Sequence, residues 1–345
     1  MRNELKSYKS KFPKPLITAF TEAATLISTM MNENIKMEIE EMVEIFCCLH
    51  TSSYGFKSST WNTDVALALL RYHCYLRHSC KPNCAFVNNN DTMELRSIST
   101  ISEKEELTVS YIDLYQMRED RIIKLRYSKF MTCKCKKCVE PIEKSKDRFL
   151  EGFLCSGQNC KGLFLTHSSN PNDNKKDREI VCTDCKLTKK LSEMQNELEK
   201  ASKLFDQMVD LYQNNKPLKA IKIGEKIEIT YSTILNPMHY ILFNTYCIMI
   251  NCHDISQNVA SSSAYSYKVV RCLEFIFPNE KYWEISNYLY HLGCAYYEMY
   301  TKEKNSKKAT ELKKQFKDAF MKSYGIRKIC CGVEHPDTKI VLSKI

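Results

Sequence analysis

The chain has 345 residues, 43% hydrophobic and 27% charged, with a formal charge of +10, the balance of a globular protein long enough for two or three domains. Residues 1–6 lead into polar sequence with no apolar core, and the apolar stretch 16–31 holds Glu22 and is too short for a bilayer, so neither a secretion signal nor membrane association is expected. The 18 cysteines are therefore expected as metal ligands rather than disulfides, in a protein of the cytoplasm, the nucleus or both.

Residues 1–50 are expected to be helical, because apolar residues recur three and four apart through Leu16, Phe20, Ala23, Ala24, Ile27 and Met30, and again at Met42, Val43, Ile45 and Phe46. Residues 51–112 change to short β-like runs, 84–87 and 107–112, and the Asn88-Asn89-Asn90-Asp91 cluster marks a hairpin turn. Residues 113–132 return to a helical pattern through Met117, Ile122, Ile123 and Leu125. They lead into Cys133-x-Cys135-x-x-Cys138, three thiolates in one tight turn, which needs a fourth ligand for tetrahedral zinc. Cys80, closing the His78-Ser79-Cys80 turn, is the natural fourth. A second set, Cys155-x4-Cys160 and Cys182-x-x-Cys185, reads as a zinc ribbon, with Gly157 and Gly162 supplying the tight knuckle turns and residues 168–177 forming a polar, mobile loop.

From Leu191 onward the pattern is helical and almost free of glycine, broken at Pro217, Pro237, Pro278 and Pro336. Small residues at expected helix crossings, with aromatics around them in 289–297 and 319–329, suggest stacked helical hairpins of tetratricopeptide (TPR) type. Cys47, Cys48 and Cys84 are expected as core or unassigned thiols, the late cysteines from Cys247 to Cys331 on apolar helix faces, and His335 as a packing residue before a proline turn. Lysine runs at 134–146, 175–190 and 302–317 flank cysteine loops or lie on helix faces with no interleaved aromatics, so nucleic-acid binding is not expected.

Arg77-His78-Ser79-Cys80-Lys81-Pro82-Asn83-Cys84, then Glu105-Glu106-Leu107-Thr108-Val109-Ser110-Tyr111, then the cysteine cluster resemble, in order and distance, the C-terminal half of a SET domain with its post-SET zinc site. More narrowly they resemble the SET- and MYND-domain (SMYD) protein lysine methyltransferases, whose helical C-terminal domain often carries a Gly-x-x-His-Pro like Gly332–Pro336. The resemblance implies an α+β chain: a SET-insert-like helical segment over 1–50 and a partial SET β-fold over 51–112. It further implies a post-SET helix and zinc region over 113–190 and an all-α TPR-like domain over 191–345. It assigns Tyr111 as the catalytic tyrosine, and His78, Arg77 and Ser52 as the positions contacting S-adenosylmethionine. The implied partner is a protein or peptide, histones included.

Several positions depart from the family pattern. Arg77 stands where the family has asparagine, Ser52-Ser53-Tyr54 where it has Asn-Ser-Phe, Ala66-Leu67-Ala68 where a glycine is usual, and Lys129-Phe130-Met131 where it has Tyr-x-Phe lining the lysine channel. A long cation at position 77 would repel the sulfonium. No Gly-x-Gly strand and no MYND cysteine array occurs before Cys47, so the first half of the SET fold and the MYND finger are expected to be missing. Two functions are compatible with this reading: a lysine methyltransferase homologue with impaired catalysis, and a non-catalytic zinc-stabilised interaction scaffold.

Overall fold

The computed structural model describes residues 7–32, 37–57, 64–69, 75–89, 92–166 and 178–345. The chain divides into two compact units: Met1–Leu95 with Ile101–Leu114 and Glu119–Cys138, and Arg96–Thr100 with Tyr115–Arg118 and Val139–Ile345. The expected polar loop at 168–177 lies outside the described residues.

The first unit opens with helices α1 (Lys14–Met30) and α2 (Ile39–Ser52). Pro15 lies in the first turn of α1, where a missing N–H is tolerated. The facing sides bury Ala24, Met42, Val43 and Cys47 together with Phe12, and Phe20 and Phe46 pack against them. The expected stripe on α1 is covered only in part, since Ile27 and Met30 are exposed.

Strand β1 (Ser53–Lys57) continues directly from α2 and pairs antiparallel with β2 (Asp64–Leu69). Strand β3 (Arg77–His78) pairs in parallel with β6 (Thr108–Val109). Between them in sequence, β4 (Cys84–Asn89) pairs with β5 (Thr92–Ser97). Asn88 and Asn89, expected in the turn, belong to β4, and Asn90 and Asp91 lie outside the described residues. Helix α3 (Arg118–Lys129) starts five residues later than the apolar pattern suggests. Glu119 and Asp120 favour the positive end of its dipole, whereas Tyr115 and Met117 are buried without being helical.

The second unit carries α4's last residue, α4 being Lys136–Val139, then α5 (Arg148–Glu151) and two small antiparallel pairs. These are β7 (Phe153–Leu154) with β8 (Leu163–Phe164), and β9 (Glu179–Val181) with β10 (Thr188–Lys190). Seven helices follow: α6 (Leu191–Gln213), α7 (Pro217–Tyr231), α8 (Tyr240–Ile255), α9 (Val259–Ile276), α10 (Trp283–Lys302), α11 (Ser306–Cys330) and α12 (Pro336–Leu342). Each packs on the next, the nearest-neighbour logic of a TPR-like stack. Pro217 and Pro336 open α7 and α12 rather than interrupt them. Gly293 shows why the α10–α11 crossing needs a small residue: a Cβ there would lie 2.6 Å from Phe320. Arg327, buried on α11, ties α10 and α12 to it, with Nε donating to Ser286 Oγ at 3.1 Å, Nη1 to the Asp337 carbonyl at 2.8 Å and Nη2 to Asn287 Oδ1 at 2.8 Å. Among the described residues no helix is long and apolar enough to cross a membrane.

His239 caps α8, its Nδ1 accepting from the Ile241 N–H at 3.2 Å, and it is fully buried. Burial holds its pKa down to about 3. The unfolded chain therefore takes up a proton near its ordinary value of 6.5 while the folded chain does not, so this group's stabilisation is present above that value and is lost as pH falls towards 3. The loss is about 1.4 kcal/mol per pH unit. Urea unfolding at several pH values should show a shallower acid limb for His239→Asn, which keeps an acceptor but cannot titrate; an unchanged limb contradicts this assignment.

Candidate active site and metal centres

The parallel pairing of β3 with β6 builds the site. It continues past the strand ends, where the Ser79 N–H donates to the Val109 carbonyl at 3.0 Å. Along β3 the side chains alternate, so Arg77 is exposed and His78 buried. The His78 ring is engaged at both nitrogens: Nδ1 accepts from the Tyr111 N–H at 3.1 Å and Nε2 lies 3.3 Å from Cys80 Sγ. One imidazole thus links the sequence-predicted tyrosine to the sequence-predicted metal ligand. The Tyr111 hydroxyl donates to the Leu76 carbonyl, and its ring packs against a core of Leu76, Cys84 and Val109 flanked by Tyr54, Phe86 and Ile101.

Arg77 turns to solvent, where Nη1 meets both carboxylate oxygens of Glu106 at 3.0 and 3.1 Å. Its charge is met on the surface rather than left unpaired. Ser52 closes α2, with its hydroxyl 3.3 Å from that of Thr51. The described residues thus bring His78 and Tyr111 into contact, while Arg77 faces Glu106 and Ser52 faces Thr51.

Cys80, Cys133, Cys135 and Cys138 converge, their sulfurs all within 4.8 Å of one another. Cys80 and Cys138 lie 3.5 Å apart. Four sulfurs around zinc at about 2.3 Å would be separated by roughly 3.8 Å, close to the separation of this pair. The Cys80 N–H points at Cys135 Sγ and the Cys135 N–H at Cys133 Sγ, each at 3.4 Å, stabilising thiolate character before any metal arrives. Hydrogen bonding from Cys135, Cys138 and Cys80 holds the Cys133 thiol far below its usual range.

Two residues that the sequence motif did not single out support this centre. Arg121 is completely buried on α3; hydrogen bonding with Cys133, Cys135 and Cys138 and burial raise the pKa of the Cys80 thiol, and the Arg121 charge opposes that rise. A metal-bound set of four thiolates carries a net negative charge, which a buried guanidinium offsets. Asn83 clamps the turn after Cys80 to the strand before Tyr111. Its Oδ1 accepts from the Thr108 N–H at 2.7 Å and the Thr108 hydroxyl at 3.1 Å, while Nδ2 donates to the Glu106 carbonyl at 2.9 Å. Asn83 lies within the Arg77–Cys84 segment, and nothing local in the sequence points to its partner 25 residues away. Asn83→Ala is expected to destabilise the protein by about 2–4 kcal/mol, because buried groups lose partners that water cannot replace. Denaturant unfolding checks this; a change within about 0.5 kcal/mol, as for an ordinary surface substitution, contradicts it.

The second set lies in the other unit. Cys155, Cys160, Cys182 and Cys185 also have all sulfurs within 4.8 Å. Cys155 and Cys185 are 3.5 Å apart, Cys160 and Cys182 3.7 Å. Gly157, Gly162 and Asp184 N–H groups point at Cys155, Cys160 and Cys182 at 3.3, 3.3 and 3.4 Å. Burial opposes ionisation of Cys182, but the Asp184 and Cys185 N–H groups bring it to about 7. Gly162 is needed for space, since a Cβ there would lie 2.5 Å from Cys182 Sγ. Both donor sets, four sulfurs apiece with backbone N–H support, fit zinc.

The family model for the SET domain matches residues 9–112. A SET and MYND domain-containing protein of Dictyostelium discoideum is 30% identical over 163 residues, 45% of this chain and 42% of its own length. The histone-lysine N-methyltransferase ASHR1 of Arabidopsis thaliana is 22% identical over 193 residues, 55% of this chain and 38% of its own. The N-lysine methyltransferase SMYD2-A of Danio rerio is 42% identical over 72 residues, 21% of this chain and 16% of its own. The chain thus matches less than half the length of each of these relatives. A solved Podosopora anserina structure of kinesin-light-chain TPR-like repeats overlaps 41% of this chain and 62% of its own at 12% identity, with a TM-score of 0.30, too low to identify a shared fold. Residues 9–112, which hold β3, β6 and Tyr111, thus match a SET domain, and the chain is similar to SET- and MYND-domain (SMYD) proteins.

Proposed function

We propose that the chain is an S-adenosylmethionine-dependent protein-lysine N-methyltransferase of SMYD type, with structural zinc at both tetracysteine clusters. Its substrate is a lysine side chain of a cytoplasmic or nuclear protein, histones among the candidates. The observation that carries this reading is the His78 ring accepting from the Tyr111 N–H, which anchors Tyr111 beside the His78-Ser79-Cys80 turn.

Tyr111's hydroxyl donates its hydrogen bond to the Leu76 carbonyl, so its oxygen keeps lone pairs to accept from an ammonium or a polarised methyl group. The apolar residues around it keep water from competing. Among the described residues β3 pairs with β6 alone. Since the Arg77 cation is paired with Glu106, a sulfonium bound beside β3 meets no unbalanced charge from it. When bound, S-adenosylmethionine supplies the electrophilic methyl; Tyr111 orients the acceptor, and His78 holds Tyr111.

The test is incubation of the zinc-loaded full chain with methyl-labelled S-adenosylmethionine and core histones, followed by mass spectrometry for N-methyl-lysine. Labelled lysine supports the proposal. Its absence with folded protein and a broad panel of cell proteins favours a second reading, a non-catalytic interaction scaffold. One contact speaks for that second reading: an internal ammonium, that of Lys129, lies over the Tyr111 ring.

A further inference from the structure

We infer that Lys129 is a built-in occupant of the acceptor position beside Tyr111: this subsite takes a primary alkylammonium, and at rest it holds the chain's own. The inference rests on reading Tyr111 as the acceptor-site tyrosine.

Lys129 is the last residue of α3, and Phe130 after it has a φ of 50°, a left-handed conformation uncommon for a bulky residue. The helix closes by the Met131 N–H donating to the Leu125 carbonyl at 3.3 Å. Phe130 is held in place by the Phe12 ring at 4.9 Å, nearly perpendicular, and by Tyr8 at 5.9 Å. Aromatic packing therefore sets the direction in which Lys129 leaves the helix.

That direction is inward. Nζ donates to the Thr51 carbonyl at 2.7 Å and lies 6.0 Å from the centre of the Tyr111 ring. Thr51 is in the last turn of α2, whose carbonyls have no partners further along the helix and carry the negative end of its dipole. Burial lowers the Lys129 pKa. His50 senses the same ammonium, its own pKa lowered by burial and then by Lys129.

A carbonyl oxygen and an aromatic face are neutral groups that hold an ammonium without fixing its proton. A methyl-accepting lysine needs the same surroundings, because only its neutral amine is nucleophilic. Lys129 also stands where the resembled family has a tyrosine in the wall of its lysine channel. A bare helix-capping role would account for the Thr51 bond but not for the position over Tyr111. An incoming lysine must displace Lys129, so the natural chain binds acceptors more weakly in proportion to the time Lys129 spends in place.

The test needs no methyl donor. N-acetyl-lysine methylamide is titrated into the zinc-loaded full chain, Lys129→Met and Lys129→Tyr, reading the Tyr111 ring resonances by NMR, with the norleucine analogue as control. The expected result is that both variants respond at about tenfold lower concentration than the natural chain, as when an internal occupant fills a site about nine-tenths of the time. Equal response in all three chains, or response to the norleucine analogue as strong as to lysine, overturns the inference. Absence of any response in a folded variant also overturns it. Spectral dispersion and zinc content report folding, and should Lys129→Met fail to fold, Lys129→Tyr decides. Amine binding in the variants without methyl transfer would leave this inference standing while the methyltransferase reading fails.

Discussion

Cys133→Ser is expected to release the metal from the first cluster and to unfold the residues around it, while the second cluster keeps its ion. Cys133 is buried, and its sulfur lies within 4.8 Å of the other three. Serine offers no thiolate, so a tetrahedral site loses a ligand. Structural zinc contributes on the order of 10 kcal/mol to domains that depend on it. Losing the ion also exposes the cost of burying Arg121, whose charge then has less negative charge to offset. The readouts are elemental analysis and hydrogen exchange. Metal content should fall from two ions per chain to one, with faster exchange across β3, β6 and α3 and little change in α6 to α12. Cys84→Ala, altering a buried thiol outside the cluster, should leave metal content unchanged. A Cys133→Ser protein with full metal content and unaltered exchange contradicts the assignment.

Tyr111→Phe is expected to reduce methyl transfer by about two to three orders of magnitude, the usual cost of deleting one preorganised polar contact in a transfer site. Stability should change much less, because the hydroxyl makes a single bond to the Leu76 carbonyl, worth about 1 kcal/mol net. The ring, with its contacts to Leu76, Cys84 and Val109, remains. Single-turnover transfer and denaturant unfolding separate the two effects. Undiminished transfer in a folded variant removes Tyr111 from the chemistry. Transfer lost in parallel with stability would show that the residue is structural.

Both predictions concern residues already visible in the sequence, for a physical reason. Cys-x-Cys-x-x-Cys and the paired knuckles with Gly157 and Gly162 are local patterns whose spacing alone brings sulfurs together. Cys80 joins them because the turn ending in it pairs beside the strand before Tyr111. Helix patterns were legible where one face is buried, as in α2 around Met42, Val43 and Cys47.

Less was legible where tertiary contacts decide. Arg121 is one arginine on a charged helix with Glu119, Asp120 and Lys124 near it; nothing local marks it as the one placed beside the sulfurs. Asn83 and Thr108 lie far apart in sequence, and their mutual bonds appear only once β3 and β6 are aligned. At Arg77 the sequence suggested a cation against a sulfonium, but strand alternation turns it to Glu106 on the surface. At position 129 the sequence showed only a lost tyrosine; the inward turn of Lys129 depends on the backbone of Phe130 and its packing on Phe12. Helix α3 begins at Arg118 because Tyr115 and Met117 find burial outside a helix, which outweighs the periodic pattern that extends back to residue 113.

The most direct measurement of the central claim is calorimetric titration of S-adenosylmethionine, and separately of its demethylated product, into the zinc-loaded 345-residue protein. A methyltransferase site built on β3, β6 and Tyr111 should bind both with micromolar affinity. No detectable heat with either ligand, from protein shown to be folded and to carry both zinc ions, would contradict it.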